Sequence, residues 1–280
     1  MAGPGFIPAP GPPDKERNIR VVSRPLAGLL PTLVTLGAAL ALWLHGPVLQ
    51  FPDYNRFADR AMFLGVPCAR DVASNLGFAI VGVWGLWRLW PRRLEPSLRR
   101  GFAGYTLFLV AVTLTAFGSA YYHLAPDNAR LVCDRVPIAL ACAGLLAAVR
   151  AESHPEANLR RDLVLLSLAA VGSVAWWHFT DQPPGAGDLR PYLLVQGLPL
   201  VLIPLWQWTS PTARADRVWF AVALLVYVAA KAAELNDREL FAALGVMSGH
   251  TLKHLLSSLA AAVIVVRLDR RGASEATSPP

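Results

Sequence analysis

A run of 22 uncharged residues, Gly101 to Tyr122, constrains this chain more than any other stretch. Backbone amides in hydrocarbon must be satisfied within their own segment, and for a single run of this length only a helix does so. Seven more apolar runs of similar length flank it. The expected spans are 26–45, 71–90, 101–124, 131–149, 162–179, 190–209, 216–235 and 249–267. Each is near the ~20 residues that a helix rising about 1.5 Å per residue needs to cross the hydrocarbon core. None alternates strictly, which sets strands aside. The expected fold is therefore all-α, a polytopic transmembrane helix bundle over residues 26–267. A Pro- and Gly-rich cytoplasmic tail, 1–25, is expected to be disordered, and a second cytoplasmic tail covers 268–280.

Charge placement orients the bundle. Only 16% of residues are charged, against about a quarter in soluble domains. The net charge of +7 suggests a polyanion partner only until the cations are placed. Segments 1–25, 88–100, 150–161, 209–217 and 267–280 hold 17 of the 26 Lys and Arg, whereas the alternate loops hold 7. That asymmetry predicts both termini in the cytoplasm, and it accounts for the basic residues without nucleic acid. The two remaining cations, Lys231 and Lys253, fall inside spans. Ionisable groups there normally face the interior and are paired, and Glu234 stands three residues after Lys231.

Against this background the chemistry-bearing residues are few. The third span closes on Gly118-Ser119-Ala120-Tyr121-Tyr122-His123, which puts Ser119 and His123 one turn apart on one face. Asp134 follows eleven residues after the histidine, at the start of the fourth span, with Arg130 and Arg135 as ready ion-pair partners. The eighth span opens His250-Thr-Leu-Lys-His254. Two histidines at i and i+4 project from one helix face, a spacing used for metals. No Glu lies between them, so a base must come from elsewhere, and Asp134 is the available carboxylate. The charge-derived topology puts all these residues on one side. Three histidines leave a fourth position of a tetrahedral zinc open to water.

Other residues read as structural. Asp53, Asp59 and Asp71 in the outer loop have oxygen ligands for a hard cation, but local Asp–Arg pairs explain them better. Asp71 is expected to N-cap the second span, and Ser74 and Asn75 to serve helix packing. Trp176 and Trp177 are expected in an interfacial belt, with His178 at its edge. Cys68, Cys133 and Cys142 show no metal spacing and read as free thiols, although Cys68 and Cys133 share the outer side.

Ser-x-x-x-His, an Asp eleven residues on, and a late His-x-x-x-His resemble the alkaline ceramidases. These belong to a superfamily of seven-span proteins that includes the adiponectin receptors. The earlier Ser74-Asn75 also matches the ceramidase pattern, and the resemblance covers roughly residues 53–267. It implies seven core helices plus one additional amino-terminal helix. It further implies an intramembrane zinc amidase that cleaves the N-acyl amide of a ceramide-like membrane lipid. His123, His250 and His254 would hold Zn2+. Asp134 would orient or deprotonate the zinc water, and Ser119 would bond the water or the developing oxyanion. Where eukaryotic members carry a calcium-motif Glu this chain has Cys68, which counts against calcium regulation. Two rival readings are a receptor-like lipid-binding protein with a structural zinc and, on the strength of Lys231, Glu234 and Asp237, a transporter. No inverted repeat or pair of broken helices supports the latter.

Overall fold

The computed structural model describes residues 24–271, and the expected disorder of 1–25 falls almost wholly outside them. The elements are α1 (Arg24–His45), α2 (Ala69–Ser74), α3 (Leu76–Leu89), α4 (Pro96–Arg99), α5 (Phe102–Leu124), α6 (Asn128–Ser153), α7 (Leu159–Thr180), α8 (Arg190–Thr209), α9 (Arg214–Leu235), α10 (Asp237–Leu244) and α11 (Gly249–Arg271). The protein is an all-α polytopic helix bundle. Each expected span is occupied by helix, the second by α2 and α3 in succession.

Six of these spans are long and apolar enough to cross a membrane, and α1 adds a shorter apolar stretch, Leu29–His45. The remaining one, α8, carries Pro191, Pro199, Pro204, Gln196 and Gln207, and these prolines and amides lower its hydropathy. Many large hydrophobics point outward, such as Phe117, Leu168 and Leu225. Contiguous apolar surface on this scale marks a lipid-facing exterior. The inner layer is made mostly of Leu, Val and Ile, with a few aromatics and alanines, from α3, α5, α6, α8, α9 and α11.

The most extensive packing is between α5 and α6, followed by α9 against α11. Glycine makes both approaches possible. A Cβ on Gly118 would lie 2.0 Å from the Cys133 carbonyl oxygen, and one on Gly249 would lie 2.1 Å from that of Ala233. The first contact sets Ser119 beside the first turns of α6. The second seats the start of α11 against the end of α9. By contrast α1 packs chiefly on α8, where the Arg190 guanidinium donates to the Trp43 carbonyl at 3.1 Å and covers its ring. It is thus a peripheral helix.

Polar residues close the two ends. At one end Arg271 pairs with Glu152 and Asp216, while Arg92 and Arg88 pair with Asp269. At the other, the long segment after α1 folds back over the bundle. Gln50 and Asn55 donate to the Asn128 side-chain oxygen, and the Asn128 amide donates to Asp181. Asp188 accepts from the Val48 amide, the Trp176 indole and Arg190, so it ties that segment to the loop before α8. Asp127 caps α6 by accepting from the Arg130 amide at 2.7 Å.

Candidate metal centre

The bundle brings His123 of α5 together with His250 and His254 of α11. All three are buried, and one ring nitrogen from each lies within 4.8 Å of the others. The i, i+4 spacing on α11 sets its two rings on one face, and that face meets the His123 ring of α5, with ring centroids 4.8 and 5.1 Å away. His123 Nε2 and His250 Nε2 are 3.2 Å apart. Two nitrogens bound to one tetrahedral zinc at ~2.0–2.1 Å are separated by roughly 3.3 Å. The pair is therefore spaced as co-ligands of a single ion.

The tautomer of His254 follows from its neighbours. The Ser74 hydroxyl donates its one proton to the Asp71 carbonyl at 2.9 Å. It must then accept from His254 Nδ1–H, 2.8 Å away. The Nε2 lone pair is left facing the cluster, the form that binds a metal. Ser119 Oγ lies 3.4 Å from this Nε2. A residue of the segment between α1 and α2, with no signal in the sequence, completes the enclosure. The Phe57 ring sits 4.5 Å from both the His123 and His250 rings and covers them.

Asp134 is buried, and its Oδ1 has no hydrogen-bond partner among the described residues. Neither expected ion pair forms. Arg130 pairs with Asp127, and the Arg135 guanidinium donates to Gln50 and stacks on Trp177 at 4.0 Å. With its cationic neighbours engaged elsewhere, the carboxylate lines a cavity of about 150 Å³ shared with Ser119 and His254. The cavity is two-sided. Asp134, Ser119, His254, Lys253, Glu234 and Lys231 gather at one end, while residues such as Phe108, Leu145 and Ile264 line the remainder. Ile264 lies ten residues along α11 from His254, so the apolar part extends ~15 Å from the histidines.

Compared with known proteins, this chain matches no family model, no curated protein and no solved structure.

Several expectations about single residues change. Asp71 does not cap the second span, because Cys68 occupies the N-cap position in a left-handed conformation with no side-chain bond. Asp71 instead lies in the first turn and accepts from Thr251 Oγ1 at 2.6 Å and Ser248 Oγ at 3.4 Å, so it holds the start of α11. Asp237 caps that same start by accepting from the His250 amide at 2.7 Å, and it also takes the Ala58 amide. Ser74 orients His254 in addition to packing. Asp53, Asp59 and Asp71 do not converge on a cation, since Asp53 pairs with Arg56 and Arg238 and Asp59 with Arg70. Trp177 is fully buried against Arg135, which leaves only Trp176 and the exposed His178 at the rim. The three cysteines are free thiols. Burial, with Asp71 nearby, pushes the Cys68 thiol above its ordinary range and makes it a poor nucleophile.

Proposed function

We propose that this chain is a membrane-embedded, zinc-dependent hydrolase that cleaves the amide of an N-acyl lipid, as the resemblance to the alkaline ceramidases implies. The observation that carries the reading is the junction of three buried histidine nitrogens with a buried carboxylate, one oxygen of which has no partner among the described residues, at the polar end of an apolar cavity. The donor set is three neutral imidazoles, which suits zinc and leaves one position open. Zinc bound there would polarise the amide carbonyl and make a water acidic enough to react near neutral pH.

The protein groups then divide the work. His254, held by Ser74, and His123 and His250, held under Phe57, keep the ligand nitrogens in place. Asp134 lines the cavity and has an oxygen without a hydrogen-bond partner among the described residues, so it accepts the proton of the attacking water and returns it to the departing amine. Ser119 stands beside His254 Nε2, where its hydroxyl donates to the developing oxyanion. The acyl chain lies along Phe108, Leu145 and Ile264. We further propose that both termini are cytoplasmic and that the metal lies toward the outer leaflet. The 17-to-7 division of Lys and Arg supports this orientation.

The test is lipid mass analysis of membranes containing the wild-type chain or Asp134→Asn. An N-acyl lipid should fall, and a free fatty acid and an amine should rise together, only with the wild type. Identical lipid profiles would leave the receptor-like reading in its place.

A further inference from the structure

Lys231, Glu234 and Lys253 form a charge cluster that the proposed reaction does not use, in which Lys253 is buried while the Lys231 side chain stays 40% exposed. Lys231 and Glu234 lie one turn apart near the end of α9, and Lys253 precedes His254 on α11. Glu234 Oε2 takes Lys231 in a short contact, and Oε1 takes Lys253 at 3.3 Å. One carboxylate thus serves two ammonium groups. Lys253 has three donors and directs one to Glu234. Its other two have no partner among the described residues, although its side chain is only 10% exposed. All three residues line the cavity at the end that holds Asp134, Ser119 and His254.

A buried ammonium with donors to spare is costly unless something else completes its shell. Asp134 is the other carboxylate at this end, and it is assigned to the attacking water. We infer that an acidic group on the amine side of the substrate supplies the missing acceptor. The site would then take an N-acyl lipid whose head carries a carboxylate or phosphate, received by Lys253 with Lys231 behind it. A neutral head would leave the donors unpaired, and the site would select against it. This inference rests on the acyl-lipid reading above and adds the charge of the head group.

The test uses binding, so that it does not depend on turnover. The purified full-length chain in zwitterionic phospholipid nanodiscs is titrated with three non-hydrolysable sulfonamides that share one hexadecyl tail. Their heads are glycine, phosphoethanolamine and ethanolamine, so a carboxylate and a phosphate are compared with a neutral hydroxyl. One or both acidic probes should bind about 10- to 100-fold more tightly than the neutral one, the range for hydrogen bonds to a charged group. Which of them does so identifies the anion. Lys253→Met should abolish the preference, with Glu234 still paired to Lys231, and Lys253→Arg should keep it. Equal binding of all three probes by the wild type would overturn the inference, as would an undiminished preference in Lys253→Met. Should Lys253→Met fail to fold, the wild-type comparison and Lys253→Arg still decide. Cleavage of a neutral N-acylethanolamine without any anion preference would remove this inference and leave the hydrolase reading intact. An anion preference in a chain that cleaves nothing would do the opposite.

Discussion

Replacing Ser74 with alanine is the sharpest probe of how the histidines are held. In the wild type the Ser74 hydroxyl accepts from His254 Nδ1–H at 2.8 Å and donates to the Asp71 carbonyl at 2.9 Å. Alanine fits the same space but leaves a buried Nδ1–H without an acceptor. Such a group costs ~1–3 kcal/mol. The ring is then free to rotate or to adopt the other tautomer, which puts a proton on Nε2. Loss of a partner that orients a metal-bound histidine typically lowers affinity ~10–100-fold, equivalent to about 1.4–2.7 kcal/mol, so the two scales agree. The assay is zinc competition against a chromophoric chelator, with thermal unfolding of the same sample as a folding control. Ser74→Ala should lose ~10–100-fold in zinc affinity while remaining folded. An affinity within about twofold of wild type would refute the tautomer argument, because the hydrogen bond that fixes the ring would then contribute less than any ordinary buried one.

Further expectations follow from the same geometry. His250→Ala should remove most of the bound zinc, since two imidazoles do not hold a closed site, and metal analysis of the purified variant reads this directly. Gly118→Ala puts a methyl 2.0 Å from the Cys133 carbonyl and must separate α5 from α6. It should cost about 1–3 kcal/mol in stability, visible as a lower melting temperature, and it should impair turnover by moving Ser119 away from Asp134. Burial pushes the Asp188 carboxyl up, but Arg190, Trp176 and the backbone amides of Arg190 and Val48 more than offset this and hold it below the usual range. Its contribution to stability is therefore full above the ordinary carboxylate value of ~3.9 and is lost as pH falls through the lower folded value. Melting of Asp188→Asn should lack that part of the wild-type acid dependence. Cysteines placed at Ala129 and Gln182, both exposed, should label from outside, and those at Arg93 and Arg160 from the cytoplasm. The reverse pattern would invert the proposed topology.

Much of this architecture is legible in the sequence because the bilayer makes length and apolarity decisive. The eight runs announce their helices, and Ser119, His123 and the His250–His254 pair lie at fixed helical spacings. The structure adds contacts between residues far apart in sequence. Phe57 comes from an irregular loop without periodicity, so nothing in the chain points to its place over His123 and His250. Ser74 resembles any small residue of a packed helix until α2 and α11 are seen together. Arg135 beside Asp134 reads as an ion pair, yet Trp177 and Gln50 take the guanidinium away. Asp71 looks like a cap because it stands at a span boundary, but the chain turns at Cys68 and sends the carboxylate to Thr251 instead. Lys231 and Glu234 can be paired from their spacing, whereas the share that Lys253 takes of the same carboxylate is set by the packing of α9 on α11.

The central claim is that the three histidines and Asp134 form one hydrolytic site. Single-turnover cleavage of an N-acyl amide lipid by zinc-loaded wild type and Asp134→Asn, matched for zinc content, tests it most directly. The amide of the variant would keep the shape of the side chain but could not take the proton of the water. The rate should fall ~10²–10⁴-fold with zinc fully retained, the usual scale for a lost general base. Cleavage by the zinc-loaded variant at a rate close to wild type would contradict the account.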